Sequence, residues 1–210
     1  MKITDIVPKS PGFYTIFLDD KPRAVFNEEI IVEAGLRVGN EVTIAELKEL
    51  REAALLRKAK ERALYLLGYR DYSRKELEEK LLKSYDEEIT EKTLQRMEEF
   101  GFLNDEDLSR KYAVHLAENK LYPPSRIRFE LAKRGFGQFL IEDVLYELEE
   151  QYDPVELACR LILRKYGYPP YDEKRKQQLF GGLARSGYRY GQIKEAVNRL
   201  SEEYPGDDPE

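Results

Sequence analysis

The chain has no tryptophan, one cysteine, one histidine and two methionines in 210 residues. Cys159 has no partner for an internal disulfide, so a reducing compartment and a cytoplasmic location are expected. A zinc site of the Cys/His kind is excluded by count. A Ser-His-Asp triad would have to use His115, which reads as an ordinary helix residue. There is no GxxxxGK[ST] loop to cradle a nucleotide. No apolar run approaches membrane-spanning length, and the opening MKITDIVPKSPGF lacks the apolar centre of a secretory signal. No catalytic group, metal or cofactor is therefore expected, and no membrane contact.

What is plentiful is charge. Charged residues make up 36% of the chain, with a formal net charge of −6. That balance argues against a protein that coats nucleic acid with its whole surface, while leaving room for a local basic stripe. Residues 1–45 stand apart. Ile3 to Val7, Phe13 to Leu18 and Arg23 to Phe26 are rich in β-branched and aromatic residues, with a turn signal at Asp19-Asp20-Lys21-Pro22. Glu28 to Ala34 reads as a short helix ending at Gly35. Leu36 to Val42 reads as a turn and a last short strand. So small a sheet needs the next helix to lean on.

From Thr43 the spacing becomes helical. Thr43 with Glu46 has capping-box spacing at the head of a long helix that ends near Gly68. Ser73 with Glu76 is a second such pair, before Leu77 and Leu81. Thr90 is placed to cap the next helix, which carries Leu94 and Met97 and ends at Gly101. Asn104-Asp105 opens a helix with Leu108, Tyr112 and Leu116 at helical spacing, broken at Leu121-Tyr122-Pro123-Pro124. Ser125 is placed to cap a helix with Ile127 and Leu131 inward, stopped by Gly135. Ile141, Leu145 and Leu148 mark a third. Asp153-Pro154 starts another set, with Leu157, Leu161 and Tyr166. Asp172 opens a helix with Leu179 and Leu183 that Gly187 ends, and Ile193, Val197 and Leu200 mark the last.

Seven positions repeat at a constant offset. Ile127, Leu131, Gly135, Phe136, Ile141, Leu145 and Leu148 return as Leu179, Leu183, Gly187, Tyr188, Ile193, Val197 and Leu200. Leu77 and Leu81 precede Ile127 and Leu131 less regularly. The expected fold class is mainly α: tandem three-helix repeats in an elongated curved array, with a small β-rich N-terminal extension. The expected divisions are 1–45 for the extension, 46–104, 105–152 and 153–204 for the repeats, and 205–210 for an acidic tail.

Three stretches carry a resemblance. Tyr72-Ser73-Arg74-Lys75-Glu76-Leu77, Gly101-Phe102-Leu103-Asn104-Asp105-Glu106 and Arg126 to Gly135 are similar to the signature segments of the RecX family, bacterial regulators of the RecA recombinase. The likeness spans roughly residues 60–200. It departs at Tyr122-Pro123-Pro124, where the family more often has a glycine. The resemblance implies a non-enzymatic protein whose helical array binds the RecA–DNA filament and limits its growth and activity. The expected partner is thus the RecA filament, with single- or double-stranded DNA as a further candidate, and the expected state is a monomer.

Charge is also unevenly placed. Arg110 to Arg134 holds seven bases against Glu118 and Glu130, and Arg160 to Arg199 holds ten against Asp172, Glu173 and Glu195. Between them, Glu142 to Glu156 has seven acids and no base. The candidate partner-binding residues are Arg126, Arg128, Lys133, Arg134, Lys174, Arg175, Lys176, Arg185 and Arg189. A run of charges is more often a solvated helix face than a contact. As a contact it suits phosphates or an acidic protein patch. Tyr122, Tyr168, Tyr171, Tyr188 and Tyr190 lie near these bases as possible anchors, Tyr188 counting first as core. Two readings stay open: a RecA-filament regulator, and a DNA-binding protein of tandem helix-turn-helix-like units. Gly181-Gly182 reads as close helix packing.

Overall fold

The computed structural model describes residues 1–205; the acidic tail expected at 205–210 lies outside them apart from Pro205. Three strands come first: β1 (Ile3–Ser10), β2 (Phe13–Leu18) and β3 (Lys21–Asn27). They form an antiparallel meander in the order β1-β2-β3. Its tight corner is the pair Asp19-Asp20, both with positive φ (47° and 63°), the geometry a two-residue hairpin loop requires. Ile3, Ile16, Leu18 and Phe26 form the inner face. They pack with Ile30 and Ile31 of α1 (Glu28–Glu33) and with Leu47, Leu50 and Ala54 of α2 (Ile44–Leu67). The sheet does lean on the long helix. The last short strand expected within Leu36 to Val42 is absent. Gly39 (φ 96°) and the Asn40 side chain, which accepts from the Arg37 N–H, turn the chain there, and only a single bridge, Lys2 to Glu41, forms.

The helices follow as α3 (Arg74–Leu81), α4 (Glu87–Glu99), α5 (Asp105–Lys120), α6 (Pro124–Lys133), α7 (Gln138–Gln151), α8 (Pro154–Tyr166), α9 (Glu173–Arg185) and α10 (Tyr190–Glu203). The chain divides into two compact units. The first comprises Met1–Asp71 with Leu77–Leu103; the second comprises Tyr72–Glu76 with the chain from Asn104 onward. In the first, α2 packs against α4, and Ala59, Ala63, Leu77, Leu81, Leu94 and Met97 are buried. In the second, α5–α7 and α8–α10 share one continuous core.

Several helix starts follow the expected chemistry. The Thr43–Glu46 capping box is reciprocal, Asn104 accepts from the Asp107 N–H, and Asp153 and Asp172 cap α8 and α9. Two caps fall elsewhere. α4 is capped by Asp86, whose carboxylate accepts from the Ile89 N–H and is followed by Glu87 and Glu88, a better match to a helix N-terminus than Thr90. Thr90 sits one turn inside, buried, its hydroxyl without a hydrogen-bond partner among the described residues. Ser125 does not cap α6, because Pro123 occupies that position; the Ser125 hydroxyl instead donates to the Gly187 carbonyl at 2.8 Å.

The repeated positions occupy equivalent places. Ile127, Leu131, Leu179 and Leu183 are fully buried, as are nearly all of Phe136, Tyr188, Ile141 and Ile193. Val197 is only half-buried, and Ala196 takes the core position beside it. Gly135 and Gly187 both have positive φ, 83° and 97°. A Cβ on Gly135 would run into the Lys75 stem, and one on Gly187 would lie 2.9 Å from the Arg126 Cβ. Just before Tyr122-Pro123-Pro124, Leu121 takes the left-handed conformation (φ 53°), and its carbonyl accepts from the buried Tyr188 hydroxyl at 2.8 Å. Gly182 faces Tyr166 so closely that a Cβ would overlap the phenol oxygen, in keeping with close packing at Gly181-Gly182.

Gly187→Ala is expected to destabilise the second unit by about 2 kcal/mol, from left-handed strain plus displacement of α6. Urea unfolding checks this; an unchanged midpoint would mean the turn tolerates a side chain.

Candidate partner-binding surface

Ile127 and Leu131 turn one face of α6 into the core, so residues rotated well away from them meet solvent. These are Arg126, Phe129 and Lys133. The Arg126 guanidinium lies 5.1 Å from the Phe129 ring centre and 5.6 Å from that of Tyr122, and pairs with Glu130 at 2.7 Å. Lys133 is exposed and forms no ion pair among the described residues. The outward face is thus basic and aromatic, with Phe129 more than half exposed.

The other candidate bases on α6 are committed within the fold. Arg128 reaches α7 and grips both Glu142 carboxylate oxygens. That contact raises the guanidinium further and lowers Glu142 below the usual carboxylate range. Arg134 is the most enclosed. Its side chain keeps 16% exposure, pairs with Glu76 at 2.7 Å, and lies over the Tyr112 ring at 4.7 Å. Beside it the Asp105 carboxylate accepts from the Arg74 N–H at 2.8 Å. Burial pushes the Asp105 carboxyl above its usual value against the opposing pull of that bond. Arg134 is therefore part of a structural cluster.

On α9, Lys176 pairs with Glu173, and Arg175 donates to the Tyr166 carbonyl. Lys174, Arg185 and Arg189 are exposed and make no ion pair among the described residues. The structure brings Arg128 and Arg189 to one cleft of about 250 Å³, lined also by Ser125, Glu149 and Gln192. Of the tyrosines, Tyr168 and Tyr190 are well exposed and Tyr122 is half-buried. Tyr188 is core, its hydroxyl pushed up by burial. Tyr171 is a correction: it is 8% exposed, because its hydroxyl turns inward to the Gly167 carbonyl at 2.7 Å.

Comparing the repeats exposes what residue-by-residue reading missed. Lys133 and Arg185 are equivalent at the offset of the core positions, each two residues before the left-handed glycine. Lys83 stands at the same place after Leu77 and Leu81, and it too is exposed without an ion pair among the described residues. The signal was the repeat offset itself, applied to charge instead of core. The exposed aromatics Phe129, Phe139 and Tyr146 do not repeat: their counterparts are Gly181, Gly191 and Asn198.

His115 is exposed on α5, its Nδ1 3.2 Å from the Asn119 amide nitrogen. Among the described residues there is no group of three or more His, Cys, Asp or Glu side chains able to hold a metal, and no helix long and apolar enough to cross a membrane.

Arg134→Ala should cost about 2 kcal/mol of stability, because the enclosed Glu76 carboxylate loses its guanidinium contact and the Tyr112 ring loses its cover. Lys133→Glu, one residue away, should stay within about 0.5 kcal/mol of the parent. Chemical denaturation of both distinguishes the fold-holding base from the exposed one; equal losses would contradict the assignment.

Residues 59–97 match the family profile described as "RecX, first three-helix domain", and residues 151–197 that described as "RecX, third three-helix domain". The regulatory protein RecX of Clostridioides difficile is 29% identical over 187 residues, 88% of each chain. That of Caldanaerobacter subterraneus subsp. tengcongensis is 28% identical over 200 residues, 94% of this chain and 99% of the relative. A crystal structure of regulatory protein RecX superposes with a TM-score of 0.65 at 26% identity, covering 94% of this chain and 98% of that one. The crystal structure of RecX from Lactobacillus salivarius, at 22% identity and a TM-score of 0.59 over 71% of this chain and 99% of that one, shares the fold. Tandem three-helix units, the two matched domains and the likeness over most of each relative's length agree: the chain is similar to the RecX family of regulatory proteins.

Proposed function

We propose that this protein binds the RecA–DNA filament and lowers the activity of RecA, acting by binding and not by chemistry. The observation that carries the reading is the recurrence of one exposed, ion-pair-free base per three-helix unit: Lys83, Lys133 and Arg185. A cation repeated with the fold matches a partner that also repeats, as a protein–nucleic-acid filament does. Surface cations without a carboxylate neighbour are the ones free to meet a partner's acids or phosphates without first giving up a bond. The relatives' name, regulatory protein RecX, supports the same direction. Lys174 and Arg189, also without an ion pair among the described residues, extend the proposed surface; Arg126, paired with Glu130, borders it, and Arg134 supports the fold beneath it.

The test is the DNA-dependent ATPase of the cognate RecA, titrated with this protein. The parent should lower it. The double variant Lys133→Glu, Arg185→Glu should need about tenfold more protein for the same effect, equivalent to roughly 1.4 kcal/mol. No effect of the parent at several-fold excess over RecA would overturn the reading.

The second reading, direct DNA binding by helix-turn-helix-like units, is favoured by the Arg126 guanidinium set over the Tyr122 and Phe129 rings, a basic–aromatic arrangement suited to nucleic acid. It requires binding to DNA without RecA, with affinity falling steeply as salt rises.

A further inference from the structure

The first unit carries a basic feature built between the sheet and the head of α2. The Thr43 capping box fixes the start of α2, so Ile44, Lys48 and Arg51 fall on one face at i, i+4 and i+7. Leu47, at i+3 on the flank of that face, packs toward the sheet. Arg23 and Ala24 come from β3, the strand at the sheet edge. Together they enclose a cavity of about 340 Å³. Its floor is aliphatic: Ala24, Leu47 and Ile44, the last 73% exposed although it is a large apolar residue at the head of a helix. Met1 also lines it, and the rest of the rim is three basic side chains with no acid: Arg23, Lys48 and Arg51.

The missing acid is informative because carboxylates are abundant close by. Arg57, on the same helix, is met by Glu29, Glu33 and Glu61. Arg23 and Arg51 form no ion pair among the described residues. Lys48 has one exposed contact, to Glu52 at 3.6 Å, of the kind that contributes little and is readily exchanged. Rim and floor together need a ligand that brings carboxylates to the arginine forks and an apolar group to the centre.

We infer that this cavity is a docking site for a short acidic segment of a partner protein, its apolar side chain seated between Ala24, Ile44 and Leu47 and its carboxylates on Arg23, Lys48 and Arg51. A peptide fits better than nucleic acid. No aromatic ring lines the cavity for a base to stack on. Glu46, Glu49 and Glu52 elsewhere on α2 oppose a long polyanion, whereas a peptide of a few residues meets only the bases. The net charge of −6 makes the binding of an acidic peptide a local property of this cavity and not of the protein as a whole.

The experiment is fluorescence anisotropy on the full chain with a fluorescein-labelled hexapeptide, Asp-Asp-Leu-Leu-Asp-Asp. Three comparison probes are the same peptide with alanine for leucine, one with lysine for aspartate, and a short labelled oligothymidylate. Saturable binding of the acidic leucine peptide is expected. Affinity should fall about tenfold or more with alanine in the peptide, and again about tenfold in the variant Arg23→Glu, Arg51→Glu. Both arginines are exposed, and an unchanged circular dichroism melt verifies that the variant folds. Lys133→Glu, Arg185→Glu should bind the peptide as the parent does, which separates this site from the proposed filament surface. The inference is overturned by no saturable binding, by equal binding of the lysine peptide, by displacement of the acidic peptide with oligothymidylate, or by an unchanged affinity in the arginine variant.

Discussion

The turn at Gly187 and Tyr188 cannot hold a side chain on its glycine, and the second unit is assembled around that restriction. The chain leaves α9 in a left-handed conformation, which brings the Gly187 backbone against Arg126 and Pro123 at the head of α6. Carbonyls at a helix end have no partner within the helix. Here the Ser125 hydroxyl donates to the Gly187 carbonyl, and the Tyr188 hydroxyl crosses to the Leu121 carbonyl. The same device occurs one repeat earlier. Ser73 donates to the Arg134 carbonyl at 2.5 Å, and Lys75 lies over Gly135. Each turn thus accepts the head of a helix from the preceding repeat, and a one-residue change in its backbone freedom is felt by two repeats.

Much of this is legible in the sequence. Core spacing, the offset between α6–α7 and α9–α10, and the Thr43, Asn104, Asp153 and Asp172 caps all act between residues close in sequence. For Ser125 and Arg134 the deciding partner is far away in sequence. Ser125 looks like a cap within its own helix, but its partner lies 62 residues on. Arg134 looks like one more base in a run until Glu76, 58 residues earlier, folds beneath it. Tyr171 looks like an exposed anchor because sequence shows its polar neighbours and not the Gly167 carbonyl that draws its hydroxyl inward. At Thr90 the deciding residue is near, as at Tyr171: Asp86, four residues before Thr90, is the stronger cap.

The basic residues therefore form two populations. Arg126, Arg128, Arg134 and Lys176 are matched by carboxylates within the molecule, two of them across helices. Lys133, Lys174, Arg185 and Arg189 are not matched among the described residues. A protein with an excess of acids can leave particular bases without a carboxylate neighbour only if geometry keeps the acids away. Phe129, Phe139 and Tyr146 add apolar surface in one repeat that the next builds from Gly181, Gly191 and Asn198. Packing of the three-helix unit does not require those rings.

Cys159 offers a different kind of access to the same molecule. Its thiol is half-buried on α8, directed at the Ala196 carbonyl of α10 at 3.6 Å, and burial holds it protonated above the ordinary thiol value. A protonated, enclosed thiol reacts slowly with alkylating reagents, whereas a solvated one reacts at its ordinary rate. As the sole cysteine, it makes chemical labelling a clock for the separation of α8 from α10, readable by mass without any engineered probe.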